Sequence, residues 1–163
     1  MSQFIHELTK GYNEFLKNNK QNLYIFKYGQ SPTYTILSCS DSRVSPIDIF
    51  NQPLGKIFEI ATPGNILTDK TLEYVLFGVN ILKTPVLIIM GHTQCGAIEA
   101  LENYEETKHI LSDLSYIYPS FLKLSKSNVN NISNQMIYEN IKRTIHILKS
   151  IPSIYSKLHT KIK

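Results

Sequence analysis

No apolar run in this chain approaches the roughly 20 residues needed to span a bilayer. The longest, Val86 to Met90, reads as a buried strand. The opening Met1-Ser2-Gln3-Phe4-Ile5-His6-Glu7 lacks the basic-then-apolar order of a signal peptide. Both absences predict a soluble, cytoplasmic protein with no membrane partner. Arginine is nearly missing: Arg43 and Arg143 are the only two, so the net charge of +4 rests on lysine. Those lysines are scattered along the chain and its end (Lys157, Lys161, Lys163), which describes a solvated surface and not a phosphate-reading stripe. No nucleic-acid partner is expected. There is no internal repeat and no linker, so the 163 residues read as one domain, 1–163, with a sizeable core.

Cysteine is scarce too, and its placement is informative. Cys39 begins Cys39-Ser40-Asp41-Ser42-Arg43, and Cys95 ends His92-Thr93-Gln94-Cys95, which Gly91 and Gly96 flank. A reducing cytosol favours metal-binding thiols over a disulfide. Two thiolates and one imidazole fall one short of the four ligands of a closed structural zinc site. An incomplete set predicts an open coordination position, and an open position predicts chemistry. The glycines are expected to relieve crowding where the backbone turns beside the metal. The other histidines, His6, His109, His146 and His159, have no second ligand at useful spacing and read as surface or core residues.

Periodicity places the motifs. Ile5, Leu8, Tyr12, Phe15 and Leu16 predict an amphipathic helix over about 4–18, packed on its own domain or reaching to a partner subunit. Tyr34–Leu37 and Ile57–Ile60 read as strands. Thr68 or Asp69 caps a helix that runs to Leu82. Val86–Met90, apolar at every position, reads as a parallel strand covered on both faces. Helix continues from Ala97 to Tyr104, and a C-terminal helical segment covers about 133–158, with Ile137, Ile141, Ile145 and Leu148 as its stripe. Strand, helix, strand in this order predicts an α/β fold with a mostly parallel sheet of three to four strands flanked by helices. Cys39 and His92 both follow strands, and the carboxyl ends of strands are where open α/β sheets build sites. The metal-site core therefore spans about 34–101.

Asp41 and Arg43 alternate with Cys39, so an extended stretch would turn all three to one side. An aspartate near zinc either accepts a hydrogen bond from bound water or ligates the metal. An arginine can hold that carboxylate bidentately.

Cys39-Ser40-Asp41-Ser42-Arg43-Val44 followed by Gly91-His92-Thr93-Gln94-Cys95-Gly96 resembles the β-class carbonic anhydrases. The likeness runs from about Thr35 to Leu101 and includes Ile49-Phe50 and Gly64-Asn65. It implies one Zn2+ per subunit, held by Cys39, His92 and Cys95. It further implies that Asp41 orients zinc-bound hydroxide or takes the fourth position in a closed form, with Arg43 holding Asp41. The implied reaction is reversible hydration of carbon dioxide to bicarbonate and a proton. Carbonyl sulfide or carbon disulfide as substrate, and a non-catalytic zinc scaffold or bicarbonate sensor, are the rival readings. Gly64, Asn65 and Gly96 are expected to shape the substrate pocket, with Thr93 and Gln94 nearby, and Gly96 offers an N–H. Two departures stand out. Ala61 and Pro63 lie where many relatives carry an arginine and a small residue, and no strand is evident after the last long helix. A sheet edge left open in this way predicts tight homodimerisation or a higher homo-oligomer.

Overall fold

The computed structural model describes residues 2–127 and 129–155. The backbone divides into two units, one ending at Gln30 and one starting at Ser31. The first holds helices α1 (Ser2–Asn18) and α2 (Lys20–Phe26). α1 forms where the apolar spacing predicted it, but its stripe is bare: Ile5, Leu8 and Tyr12 are all exposed. The second helix is not anticipated by the sequence reading.

The second unit is built on three parallel strands, β1 (Tyr34–Cys39), β2 (Ile57–Thr62) and β3 (Val86–Met90), in the order β2-β1-β3. Between them lie α3 (Pro46–Ile49), after β1, and α4 (Asp69–Leu76), after β2. Then come α5 (Gly96–Glu99), α6 (Tyr104–Thr107), α7 (Tyr118–Ser125), α8 (Ile132–Lys149) and α9 (Pro152–Tyr155). The expected segment to 158 runs past the described residues. Of the two candidate caps for α4, Thr68 is the one used, its hydroxyl accepting from the Thr71 N–H at 3.1 Å. Such a cap contributes about 1 kcal/mol. The stretch expected as helix from Ala97 to Tyr104 is broken into α5, a tighter turn over Ala100–Asn103, and α6.

The sheet corrects one expectation. β3 is not fully covered: Val86 is 39% exposed and Leu87 to Met90 are only half-buried, and the strand lies at an edge of the sheet among the described residues, with β1 as its neighbour. The enclosed strand is β1, with Thr35 through Cys39 buried. An all-apolar sequence cannot by itself distinguish a central strand from an edge strand whose cover comes from elsewhere. Register fixes the outcome that matters for the site. Ser38 pairs with Met90 and Cys39 with Thr62, so the ends of all three strands lie side by side.

Two apolar clusters brace this sheet. Leu37, Ile60, Leu67, Val75, Val79, Leu148 and Ile154 form one. The other gathers Ile66, Ile98, Leu101, Leu114, Ile117, Met136 and Ile137 around Cys39 and Cys95. Each fully buried large aliphatic side chain contributes about 1.5–3 kcal/mol. Past α4 the helix widens over Phe77–Ile81, with the Leu82 N–H reaching back to the Phe77 carbonyl at 3.0 Å. Gly78 lies on this wide turn against the sheet: a Cβ there would fall 2.3 Å from Thr35 Oγ1 and 2.9 Å from Phe58 Cδ1. The Thr35 hydroxyl is itself tied to Thr84 Oγ1 at 2.7 Å and has little room to retreat. Gly78→Ala is therefore expected to destabilise the fold by about 1–3 kcal/mol through overpacking. Denaturant unfolding of the two proteins measures this, and an unchanged midpoint would show that the wide turn yields freely.

Candidate metal centre

β1 ends at Cys39 and β3 leads through Gly91 into His92. The ligand atoms of Cys39, His92 and Cys95 lie within 4.8 Å of one another, and they are the metal-ready cluster among the described residues. The two sulfurs are 3.8 Å apart and both thiols are free and buried. His92 Nδ1 lies 2.9 Å from the Thr93 carbonyl. With the proton on Nδ1, that bond fixes the tautomer and leaves the Nε2 lone pair for a metal. Nε2 is buried and has no hydrogen-bond partner.

Backbone N–H groups converge on the sulfurs. Those of Gly64 and Asp41 face Cys39, and those of Ile98 and Ala97, in the first turn of α5, face Cys95. The Gly64 contact is 3.3 Å. Hydrogen bonding from the Cys95 thiol pulls Cys39 down to about 5, against the cost of burial and with help from those N–H groups. The same contact pushes Cys95 up, because a second deprotonation would set two anions side by side in the core. The pair therefore gives up one proton readily and holds the second. A bound dication removes that conflict. Two adjacent sulfurs and an orphaned buried imidazole nitrogen fit zinc, a borderline-soft ion that takes sulfur and nitrogen ligands.

Beside this cluster lies Asp41. Arg43 grips it from Nε to Oδ1 at 2.9 Å and from Nη2 to Oδ2 at 2.7 Å, and the Arg43 backbone N–H adds a bond to Oδ1 at 2.9 Å. The guanidinium holds the Asp41 carboxyl well below the usual carboxylate range, and the carboxylate in turn raises Arg43. Asp41 Oδ2 is 3.8 Å from His92 Nε2. These groups meet for a reason other than the expected one. The chain after Cys39 does not run extended. It turns, with the Val44 N–H bonded to the Asp41 carbonyl at 3.1 Å and Arg43 folded back on Asp41. The aspartate side chain makes this turn by bonding its own backbone two residues on.

The flanking glycines also act differently. Neither Gly91 nor Gly96 has a positive φ; the left-handed residue in the second motif is Gln94, at φ 53. Gly91 makes room for α8, since a Cβ there would lie 3.0 Å from Ile141 Cδ1, whereas Gly96 faces open space. Gly64 is buried beneath Cys39, and Asn65 is buried with its Nδ2 unpartnered. Gly96 opens α5, exposed and next to Cys95. Ala61 is exposed on β2, opposite Ser38. His6, His109 and His146 are exposed and stand outside the cluster, while His159 lies outside the described residues. Sequence reasoning missed the N–H donors to the sulfurs and the Thr93 carbonyl, which are backbone groups with no residue signature.

The model of the carbonic anhydrase family matches residues 34–162. This chain belongs to the β-carbonic anhydrase family. A carbonic anhydrase of Mycolicibacterium smegmatis is 31% identical over 120 residues, covering 69% of this chain and 58% of that protein. One of Synechocystis sp. is 25% identical over 179 residues, covering 98% of this chain and 63% of that one. The chain thus spans less than two thirds of the length of these curated relatives. Among solved structures, the β-carbonic anhydrase CcaA superposes with a TM-score of 0.80 at 24% identity, covering 98% of this chain and 84% of that one. A Coccomyxa β-carbonic anhydrase, solved with acetazolamide, gives 0.72 at 22% identity, covering 95% and 74%. These likenesses agree on the fold: a parallel three-stranded sheet flanked by helices.

Zinc binding to this β-carbonic-anhydrase centre must expel the proton that the sulfur pair retains. Affinity is therefore expected to rise with pH, about tenfold per unit for each proton displaced. Competition with a chelator across pH 6 to 8 or so reads this out, and a flat profile would mean that the sulfurs do not ligate. His92→Ala and Cys39→Ser are each expected to lose most of the bound zinc by elemental analysis.

Proposed function

We propose that this protein hydrates carbon dioxide reversibly to bicarbonate and a proton at the Cys39–His92–Cys95 centre. The observation that carries the reading is the placement of a clamped carboxylate, Asp41, beside a set of three metal-ready side chains. Zinc, when bound there, supplies a Lewis acid that lowers the pKa of water to about 7. The side chains do the rest. Cys39, His92 and Cys95 would hold the ion, with Asp41 beside them. Asp41 is anionic at neutral pH and is pinned at both oxygens by Arg43, so it acts as a fixed hydrogen-bond acceptor. It orients the attacking water so that a lone pair, and not a proton, faces the electrophilic carbon. Arg43 Nη2 also donates to the Gln94 carbonyl at 3.0 Å, which stops the clamp from swinging with its load. Gly64, Asn65 and Gly96 border the space where substrate sits, and the Gly96 N–H is available to a carbonyl oxygen.

The assembly belongs to the same proposal. β3 carries five apolar residues on an edge that no strand of the described chain covers. We assign that cover to a second copy, giving a homodimer or a higher assembly. A reducing, cytoplasmic setting suits two thiols that must stay reduced to bind metal.

Asp41→Asn keeps the size of the side chain but changes half of its acceptors to donors. It is expected to retain zinc and to lose roughly 10²-fold or more in carbon dioxide hydration, as for removal of a positioned acid–base group. Stopped-flow hydration with a pH indicator measures it, and full activity in the metal-loaded variant would remove Asp41 from the mechanism. Solution scattering is expected to return at least twice the monomer mass, and a concentration-independent monomer would defeat the assembly assignment.

A further inference from the structure

Gly64 is held from two directions. Its N–H donates to Cys39 Sγ at 3.3 Å, and its carbonyl accepts from Asn140 Nδ2 at 2.9 Å. The turn it belongs to is tight. Gly64 has φ 67 and ψ 17, and Asn65 after it has φ 46, so two successive residues are left-handed, a conformation glycine adopts freely and asparagine tolerates. Its direction is set by what packs around it. Here α5 presses on one side, since a Cβ on Gly64 would lie 3.3 Å from Ala97 Cβ. The Asn140 amide supplies the other restraint, from the middle of α8.

Asn140 is only 1% exposed, and its Oδ1 has no hydrogen-bond partner among the described residues. A buried amide with an unused oxygen is a poor packing choice, because burying an unpaired polar atom costs stability. An apolar side chain of the same branching would avoid that cost. What the amide does, and leucine cannot, is bond the Gly64 carbonyl. Its neighbours on the same face of α8 serve the other half of the centre. Ile137 and Ile141 pack against Gly91, where a Cβ would lie 3.1 Å from Ile137 Cγ2 and 3.0 Å from Ile141 Cδ1, and Gly91 precedes His92. One turn of α8 therefore touches the backbone that aims at Cys39 and the backbone that carries His92.

We propose that Asn140 is a positioning residue for the metal centre: by holding the Gly64 carbonyl, it aims the Gly64 N–H at the Cys39 sulfur and so sets how strongly that sulfur binds the metal. A hydrogen bond to a buried sulfur offsets part of its negative charge and fixes its position, so losing it would leave the sulfur less ready to hold a metal. Loss of outer-shell partners of this kind typically costs about 10- to 100-fold in metal affinity or activity. The inference rests on Cys39, His92 and Cys95 being the metal ligands, and the experiment separates the two.

The test compares wild type with Asn140→Leu in three measurements. These are zinc affinity by chelator competition, the sulfur-to-metal charge-transfer band of the cobalt-substituted proteins, and the unfolding midpoint. The expected result is a folded variant with zinc affinity lowered about tenfold and a shifted cobalt band. A variant that only loosened the fold would move the midpoint and leave the band in place. If Asn140→Leu does not fold, the wild type still decides: in the cadmium-113-substituted protein, the Gly64 amide proton should show scalar coupling to the metal through the sulfur. A folded variant with unchanged affinity and band, or a wild type without that coupling, overturns the inference while the ligand assignment stands. A wild type that takes up no zinc or cobalt overturns both.

Discussion

Two sulfur atoms 3.8 Å apart at the rim of an apolar core are hard to accommodate without a cation. Only one can comfortably be anionic, because a buried charge without a partner costs several kcal/mol and two such charges repel. Much of the surrounding structure answers that problem. Parallel register brings the end of β1 beside the approach to His92. The Gly64 turn and the start of α5 direct N–H groups at the sulfurs. His92 turns its unpartnered nitrogen toward the same point. The N–H groups stabilise negative sulfur, the imidazole adds a lone pair, and a dication would complete them.

The parts of this arrangement legible in the sequence were those carried by side-chain identity and by period. Three ligands of the right softness, each just past a strand, were enough to place the centre, and the parallel sheet followed from the order of strand and helix. The turn at Asp41 was not legible as a turn. Asp-Ser-Arg reads equally as extended alternation, and only the bond from the Arg43 N–H to Oδ1 decides it. The edge position of β3 was hidden because apolar content reports burial somewhere, not by whom. Asn140 was hidden by its own stripe. Among Ile137, Ile141 and Leu148 it looks like a polar interruption, and the carbonyl it serves is a backbone atom 76 positions away.

Arg43 joins the two motifs physically as well as functionally. Its Nη2 donates to Asp41 Oδ2 in the first motif and to the Gln94 carbonyl in the second. That carbonyl is fixed by the left-handed Gln94, the residue immediately before Cys95. A carboxylate near a metal has two competing uses, as a ligand and as an acceptor for a reactant. Arg43 bears on that choice, because any movement of Asp41 away from it would cost both side-chain bonds at once. The pair is partly exposed, with Arg43 60% accessible, so its net worth to stability is small. Its value lies in geometry: a planar fork, anchored at a third point, holds the carboxylate's direction in a way a lysine's single ammonium cannot. The direction in which the Asp41 carboxylate faces is therefore as much a property of Gln94 and Arg43 as of Asp41 itself.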